Sequence, residues 1–200
     1  MGRCIKDRLP LILLCLWAPI AIGSIAYLMS FHLAPAAETA PPERIATRFA
    51  PDQGAARVHF LDADCLCSRI VARSLIARRA DREMPETVVW AGHDAELERS
   101  LRRAGFRLSR KSRSELEDAF GVTGVPQLVI LSDGVATYVG GYARRLVTTE
   151  DDVRDINLTA ALEAGDQVEP YPLFGCATGA AQRANQDPLR WKYDAAVSSR

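Results

Sequence analysis

Two cysteines separated by one residue, in Asp64-Cys65-Leu66-Cys67-Ser68, sit where a strand hands over to a helix. Arg57-Val58-His59-Phe60-Leu61-Asp62 precedes them and reads as a strand. Residues 68–80 follow and read as a helix, with Ile70, Val71, Leu75 and Ile76 at its apolar positions. A chain with thiols at such a joint has to build a strand–turn–helix unit around them. The first-turn N–H groups of a helix are unpaired and carry partial positive charge. A thiolate there is stabilised and becomes a nucleophile near neutral pH. Asp64 opposes this, because a nearby carboxylate disfavours a second negative charge; the helix is expected to prevail at Cys65. Inside a regular helix, residues i and i+2 point to nearly opposite sides, so a disulfide requires Cys65 outside the helix and Cys67 in its first turn. Such a ring is tight, and strained disulfides are the labile ones. The plainer reading is a pair of buried or metal-binding cysteines.

The start of the chain sets the compartment. Arg3, Lys6 and Arg8 precede a run over residues 9–33 that contains no Asp, Glu, Lys or Arg. As a helix this run is about 37 Å long, enough to span a bilayer with some tilt. Pro19 and Gly23 interrupt it, and membrane helices tolerate both. Basic residues on the leading side, with Glu38 the first charge beyond, put the N-terminus inside and the rest outside. A cleaved signal peptide is the rival, but Leu33-Ala34-Pro35-Ala36 is a poor cleavage site. The expected division is residues 1–33 as cytosolic N-terminus and transmembrane anchor, 34–53 as an Ala/Pro-rich linker, 54–165 as the folded domain, and 166–200 as a tail. Cys65, Cys67 and Cys176 then face a compartment where disulfides persist; Cys4 and Cys15 are bystanders.

Two hundred residues with 48% hydrophobic content allow one ordinary domain plus such extras. The formal net charge is zero, so no global field argues for nucleic acid. After Pro85, residues 86–91 read as a second strand. Asp94 is expected to cap a helix carrying Leu97, Leu101 and Ala104, closed by Gly105. Residues 106–108 read as a short strand, and Ser112 or Ser114 starts a helix running to Phe120. Residues 126–131 and 135–139 pair across a Ser132-Asp133-Gly134 turn. Gly140-Gly141 ends that hairpin, and Thr148 or Thr149 caps a last helix to about Ala164. This order predicts a three-layer α/β domain with a mixed sheet. Seven basic residues within 99–113 read as a solvated face balanced by Asp94, Glu96 and Glu98, the alternative being a surface for acidic partners or lipid headgroups.

Three features in order resemble the thioredoxin superfamily: the strand, turn and cysteine pair of residues 60–67; Gly121-Val122-Thr123-Gly124-Val125-Pro126; and the hairpin of residues 128–138 with Gly140-Gly141. The resemblance covers about residues 57–164. Where the family has Trp before the first cysteine this chain has Asp64, and Cys-x-x-Cys has become Cys-x-Cys. An anchor joined to such a domain looks like bacterial membrane-anchored thioredoxin-like proteins. The resemblance implies a cis-proline at Pro126, Cys65 as the attacking thiolate and Cys67 as the thiol that displaces the partner. A partner segment would pair as an added strand beside Pro126. It further implies a thiol–disulfide oxidoreductase without a cofactor, held in the cell inner membrane with its domain in the periplasm. Its partners would be protein thiols or disulfides and an envelope redox protein.

Two other classes stay open. Cys65 and Cys67 with His59, His93 or Cys176 can hold Cu(I), which prefers soft thiolates. The fold can also serve as a non-catalytic scaffold. Cys176, in Phe174-Gly175-Cys176-Ala177, leaves an odd thiol after any pairing. Its readings are a third redox thiol exchanging with the Cys65–Cys67 pair, an intermolecular link, or a small packed residue.

Overall fold

The computed structural model describes residues 2–33, 40–49 and 54–187. The chain separates into two units, Met1–Ala34 and Pro35–Arg200. The first holds helix α1 (Gly2–Leu33), which carries the charge-free run. Large apolar side chains from Ile12 to Tyr27, Leu16, Trp17 and Ile20 among them, stand exposed around it. Among the described residues no helix is long and apolar enough to cross a membrane. The side chains of residues 2–11 and 28–33, Cys4 included, lie outside those described, so the anchor reading rests on the sequence run.

The stretch read as linker is partly folded. Residues 34–39 and 50–53 lie outside the described ones, but between them runs helix α2 (Pro42–Phe49). Its Ile45 is fully buried, as is Ala40 just before it. Phe49 meets Phe120 at 5.5 Å and Phe60 edge-on at 6.3 Å between ring centroids. Pro42 suits a first helical position, where its missing N–H costs nothing. Ile45 and Phe49 are four apart and therefore share one face. The folded unit thus begins before residue 54.

The rest alternates: β1 (Ala55–Asp62), α3 (Leu66–Arg78), β2 (Glu86–Ala91), α4 (Ala95–Arg103), β3 (Arg107–Lys111), α5 (Arg113–Phe120), β4 (Gly124–Val125), β5 (Gln127–Ser132), β6 (Val135–Gly140), α6 (Asp155–Glu163), β7 (Cys176–Ala177) and α7 (Ala180–Gln186). Five strands form one mixed sheet in the order β3-β2-β1-β5-β6. β1, β2 and β3 are parallel, while β5 runs antiparallel to both β1 and β6. Strand side chains alternate between faces. Leu61, Val88, Trp90, Leu128 and Ile130 pack with α3, α4 and α6 on one side. Phe60, Val89, Val129 and Leu131 pack with α2 and α5 on the other. Both faces are buried, which gives the expected mixed α/β architecture.

Local signals explain the boundaries. Asp94 caps α4 by accepting from the N–H groups of Glu96 and Leu97. Ser112 and Glu115 form a capping box at α5. Asp133 (φ 48°) and Gly134 (φ 82°) make the two-residue hairpin turn. The last helix differs from expectation. Thr149 caps only a short 3-10 turn, Glu150–Asp152, because Asp152 reaches back to the N–H groups of Thr148 and Thr149; α6 starts afresh at Asp155.

One buried cluster of charges lies under the sheet. Arg57, His59, Glu86 and Asp155 are each at most 3% exposed. Glu86 accepts from His59 Nε2 at 3.0 Å and from Arg78, and Arg78 also reaches Asp155 at 2.6 Å. Burial lowers the pKa of His59 and keeps it neutral, despite Glu86. Burial alone would raise Glu86, but hydrogen bonds from His59 and Arg78 hold its carboxyl well below the usual range.

Candidate functional site

Because β1 and β5 are antiparallel, with Phe60 opposite Gln127, the C-terminal end of β1 and the start of β5 meet at one end of the sheet. The turn that follows Asp62 and the residue that precedes Gln127, Pro126, are thereby brought together. Cys65 is the N-cap of α3. Its N–H bonds the Asp62 carbonyl at 3.1 Å, and its carbonyl accepts the Arg69 N–H at 3.0 Å. The Val125–Pro126 peptide bond is cis. As a thiol, Cys65 is within reach to donate to the Val125 carbonyl, at 3.7 Å from Sγ.

Cys65 is buried, with 0% of its surface exposed, whereas Cys67 and Cys176 are half-buried. Both neighbours hydrogen-bond the Cys65 sulfur. Cys176 arrives on β7, which pairs antiparallel with β4 so that Cys176 stands opposite Val125. The hydrogen bond from Cys176, then that from Cys67, holds the Cys65 thiol well below its ordinary pKa. Burial opposes this, and Ser68, in the first turn of α3, adds the smallest contributions. The fold therefore favours ionisation of a sulfur at a helix N-terminus, beside two further thiols. Leu66, between the two cysteines of the motif, is 68% exposed.

The Asp64 carboxylate, which opposes a thiolate at Cys65, and Asp62 beside it are both paired with a residue of the basic run read as a solvated face. Arg113, at the start of α5, bridges Asp62 and Asp64. Asp62 is itself buried and accepts the Asp64 N–H at 2.9 Å, which pins the turn. Hydrogen bonding to Asp62, the largest cause, raises the Arg113 pKa further, so the guanidinium stays charged at every working pH. Arg113 is 51 residues from Asp62, and no local pattern announces the pair. The rest of the basic run behaves as read: Arg110 pairs with Glu98 and Lys111 with Glu115.

An expected result follows. Alkylation of reduced protein across pH, mapped to each cysteine, should give Cys65 a midpoint below the unperturbed ~8.5. Arg113→Ala should move that midpoint upward by exposing the sulfur to two unbalanced carboxylates, and Arg113→Lys should move it less. An unmoved midpoint would show that the bridge only holds the turn.

The histidines offered as metal ligands lie elsewhere. His59 spends both ring nitrogens, on Tyr142 at 2.8 Å and on Glu86 at 3.0 Å. His93 is exposed and faces Glu98 at 3.5 Å. Among the described residues, the group of three candidate ligands within reach of one ion is His59, Glu86 and Asp155, not the thiols. There the Arg78 guanidinium already supplies the positive charge, so a cation would have to displace it.

No protein-family model matches the chain, and no curated protein matches it either. Solved structures do. The hypothetical protein SMc02350 from Sinorhizobium meliloti 1021 is 20% identical with a TM-score of 0.50, covering 73% of this chain and 93% of that one. An uncharacterized conserved protein from Geobacillus kaustophilus is 19% identical with a TM-score of 0.50, covering 74% and 92%. At these identities the likeness is one of fold.

Proposed function

We propose that the chain is a thioredoxin-like thiol–disulfide oxidoreductase, tethered by α1 in the inner membrane with its folded unit in the periplasm. The observation that carries this reading is the Cys65 sulfur: depressed in pKa, 3.7 Å from the Val125 carbonyl and hydrogen-bonded by two other thiols. A thiolate is the species that attacks a disulfide. Cys65 would attack a partner disulfide and form a mixed disulfide, and a second thiol, Cys67 or Cys176, would displace the partner. The sheet order with β1 central and β5 antiparallel beside it fits the same family, and exposed Leu66 offers a contact for an incoming protein. The deciding assay is catalysed reduction of a protein disulfide by the full chain with a dithiol as electron source. A rate no higher than that of the dithiol alone refutes the reading.

The tether is supported by the charge-free run of residues 9–33, which is long enough as a helix to span a bilayer, and by the exposed apolar side chains of α1 between Ile12 and Tyr27. Alkaline phosphatase fused after Gln53 should be active and sediment with membranes. An inactive fusion, or one released to the soluble fraction, rejects the topology.

A further inference from the structure

The tail is built into the site. Beyond the Cys176–Val125 pairing, the N–H groups of Thr178 and Gly179 bond the Thr123 carbonyl at 2.8 and 3.1 Å, and the Thr178 hydroxyl bonds the Val122 carbonyl at 2.7 Å. Gln186 of α7 braces the strand, accepting from the Ala177 N–H at 3.0 Å. Leu173, Ala177 and Thr178 are each at most 2% exposed. Glycines permit the approach. A Cβ on Gly175 would overlap the Val125 carbonyl oxygen, and one on Gly141 would overlap the Pro172 carbonyl. With β7 in place, the backbone ladder at β4 is filled and Cys65 is sealed from solvent.

We propose that β7 is an internal substrate strand: it occupies the ladder at Gly124–Val125 where an extended, cysteine-bearing partner segment would pair, and Cys176 is the thiol that resolves the mixed disulfide on Cys65. This rests on the thiol–disulfide exchange proposed above. When β7 lifts, the Cys65 thiolate attacks one sulfur of a partner disulfide; that S–S bond breaks, and one half leaves as a thiolate that takes up a proton. When β7 docks again, Cys176 gives up its proton and attacks the Cys65 sulfur. The Cys65–Cys176 bond forms, and the second half of the partner leaves as a thiol. One disulfide and two protein thiols become two thiols and one protein disulfide. Cys67 is worse placed for this displacement, because a one-residue spacing closes a tight ring. Cys176 comes from a separate strand held over the same sulfur. The oxidised protein is thus also closed to partner segments until a reductant opens the bond.

The full chain, in detergent, is oxidised with glutathione disulfide and digested with trypsin without reduction. The expected product links the peptide of residues 58–69, through Cys65 and with Cys67 open to alkylation, to that of 155–183. A bond confined to 58–69, with Cys176 open to alkylation, overturns the proposal. Cys67→Ser and Cys176→Ser are then offered an unstructured peptide carrying an activated cysteine disulfide. Cys176→Ser should retain the peptide adduct on Cys65 at least about tenfold longer, having lost the tethered thiol; equal or longer retention in Cys67→Ser overturns it. Gly175→Ala should lift β7 and speed adduct formation by about tenfold, as the open fraction grows. An unchanged rate in a folded variant rejects the gate. Thr178→Val, which removes the bond to Val122, gives the same reading if Gly175→Ala fails to fold. No adduct at Cys65 in any variant, whatever the peptide map shows, would instead refute thiol exchange itself.

Discussion

Cys65→Ser should reduce protein-disulfide reduction by the full chain to the rate of the dithiol control, while the fold stays intact. A serine hydroxyl is not ionised at working pH and forms no S–S bond, so neither the mixed disulfide nor its resolution can occur. The substitution keeps a small polar side chain at the N-cap of α3, where serine is a favoured residue, so the helix should not suffer. The control is therefore an unchanged urea midpoint. A variant that keeps more than a small fraction of wild-type turnover, with Cys67 and Cys176 present, would move the nucleophile away from Cys65 and with it the meaning of the thiolate.

Glu86→Ala should cost about 3–5 kcal/mol of stability, the range for breaking a buried ion pair from one side. Glu86 is the anion shared by Arg78, His59 and, at 3.5 Å, Arg57. Arg57 is 1% exposed and would keep only Asp81, at 3.1 Å. Urea unfolding of the full chain measures the loss, and a loss under about 1 kcal/mol would show that water or neighbouring carboxylates take over. Glu86→Leu combined with Arg78→Leu should lose less than the sum of the two single changes, because the pair leaves together. The pH dependence has a fixed sign. The carboxyl of Glu86 is depressed in the folded state, so its contribution is present above the unfolded value of ~4.3 and is lost as pH falls below it. His59 is depressed too, and the unfolded chain takes up its proton near ~6.5 while the folded chain does not. Stability should therefore begin to fall below about pH 6.5 and fall more steeply near pH 4, and Glu86→Ala should flatten the lower step.

What the sequence determined by itself is local. Strand 86–91, the Asp94 and Ser112 caps, the Asp133-Gly134 hairpin and the strand–thiol–helix joint at Cys65 each follow from interactions within four residues or from a period of two or 3.6. Their order was enough to imply a mixed sheet with helices. Helix α2 was also written locally, in Pro42 with Ile45 and Phe49 four apart, but the surrounding Ala and Pro content masked it. The alternation of Arg57 and His59 with Val58 and Phe60 is the pattern of a half-solvated strand, yet both polar residues are buried. Only partners brought from other segments, Asp81 and Glu86 for Arg57 and Tyr142 and Glu86 for His59, make their burial tolerable. Tertiary structure alone decided the chemistry around Cys65. An antiparallel β5 delivered the Val125 carbonyl from 60 residues away, and α5 delivered Arg113 across 51 to cancel Asp62 and Asp64. A glycine at 175, with no side chain to strike that carbonyl, let Cys176 settle over the sulfur. Such partners share neither helix face nor strand register, so no periodicity in the chain encodes them.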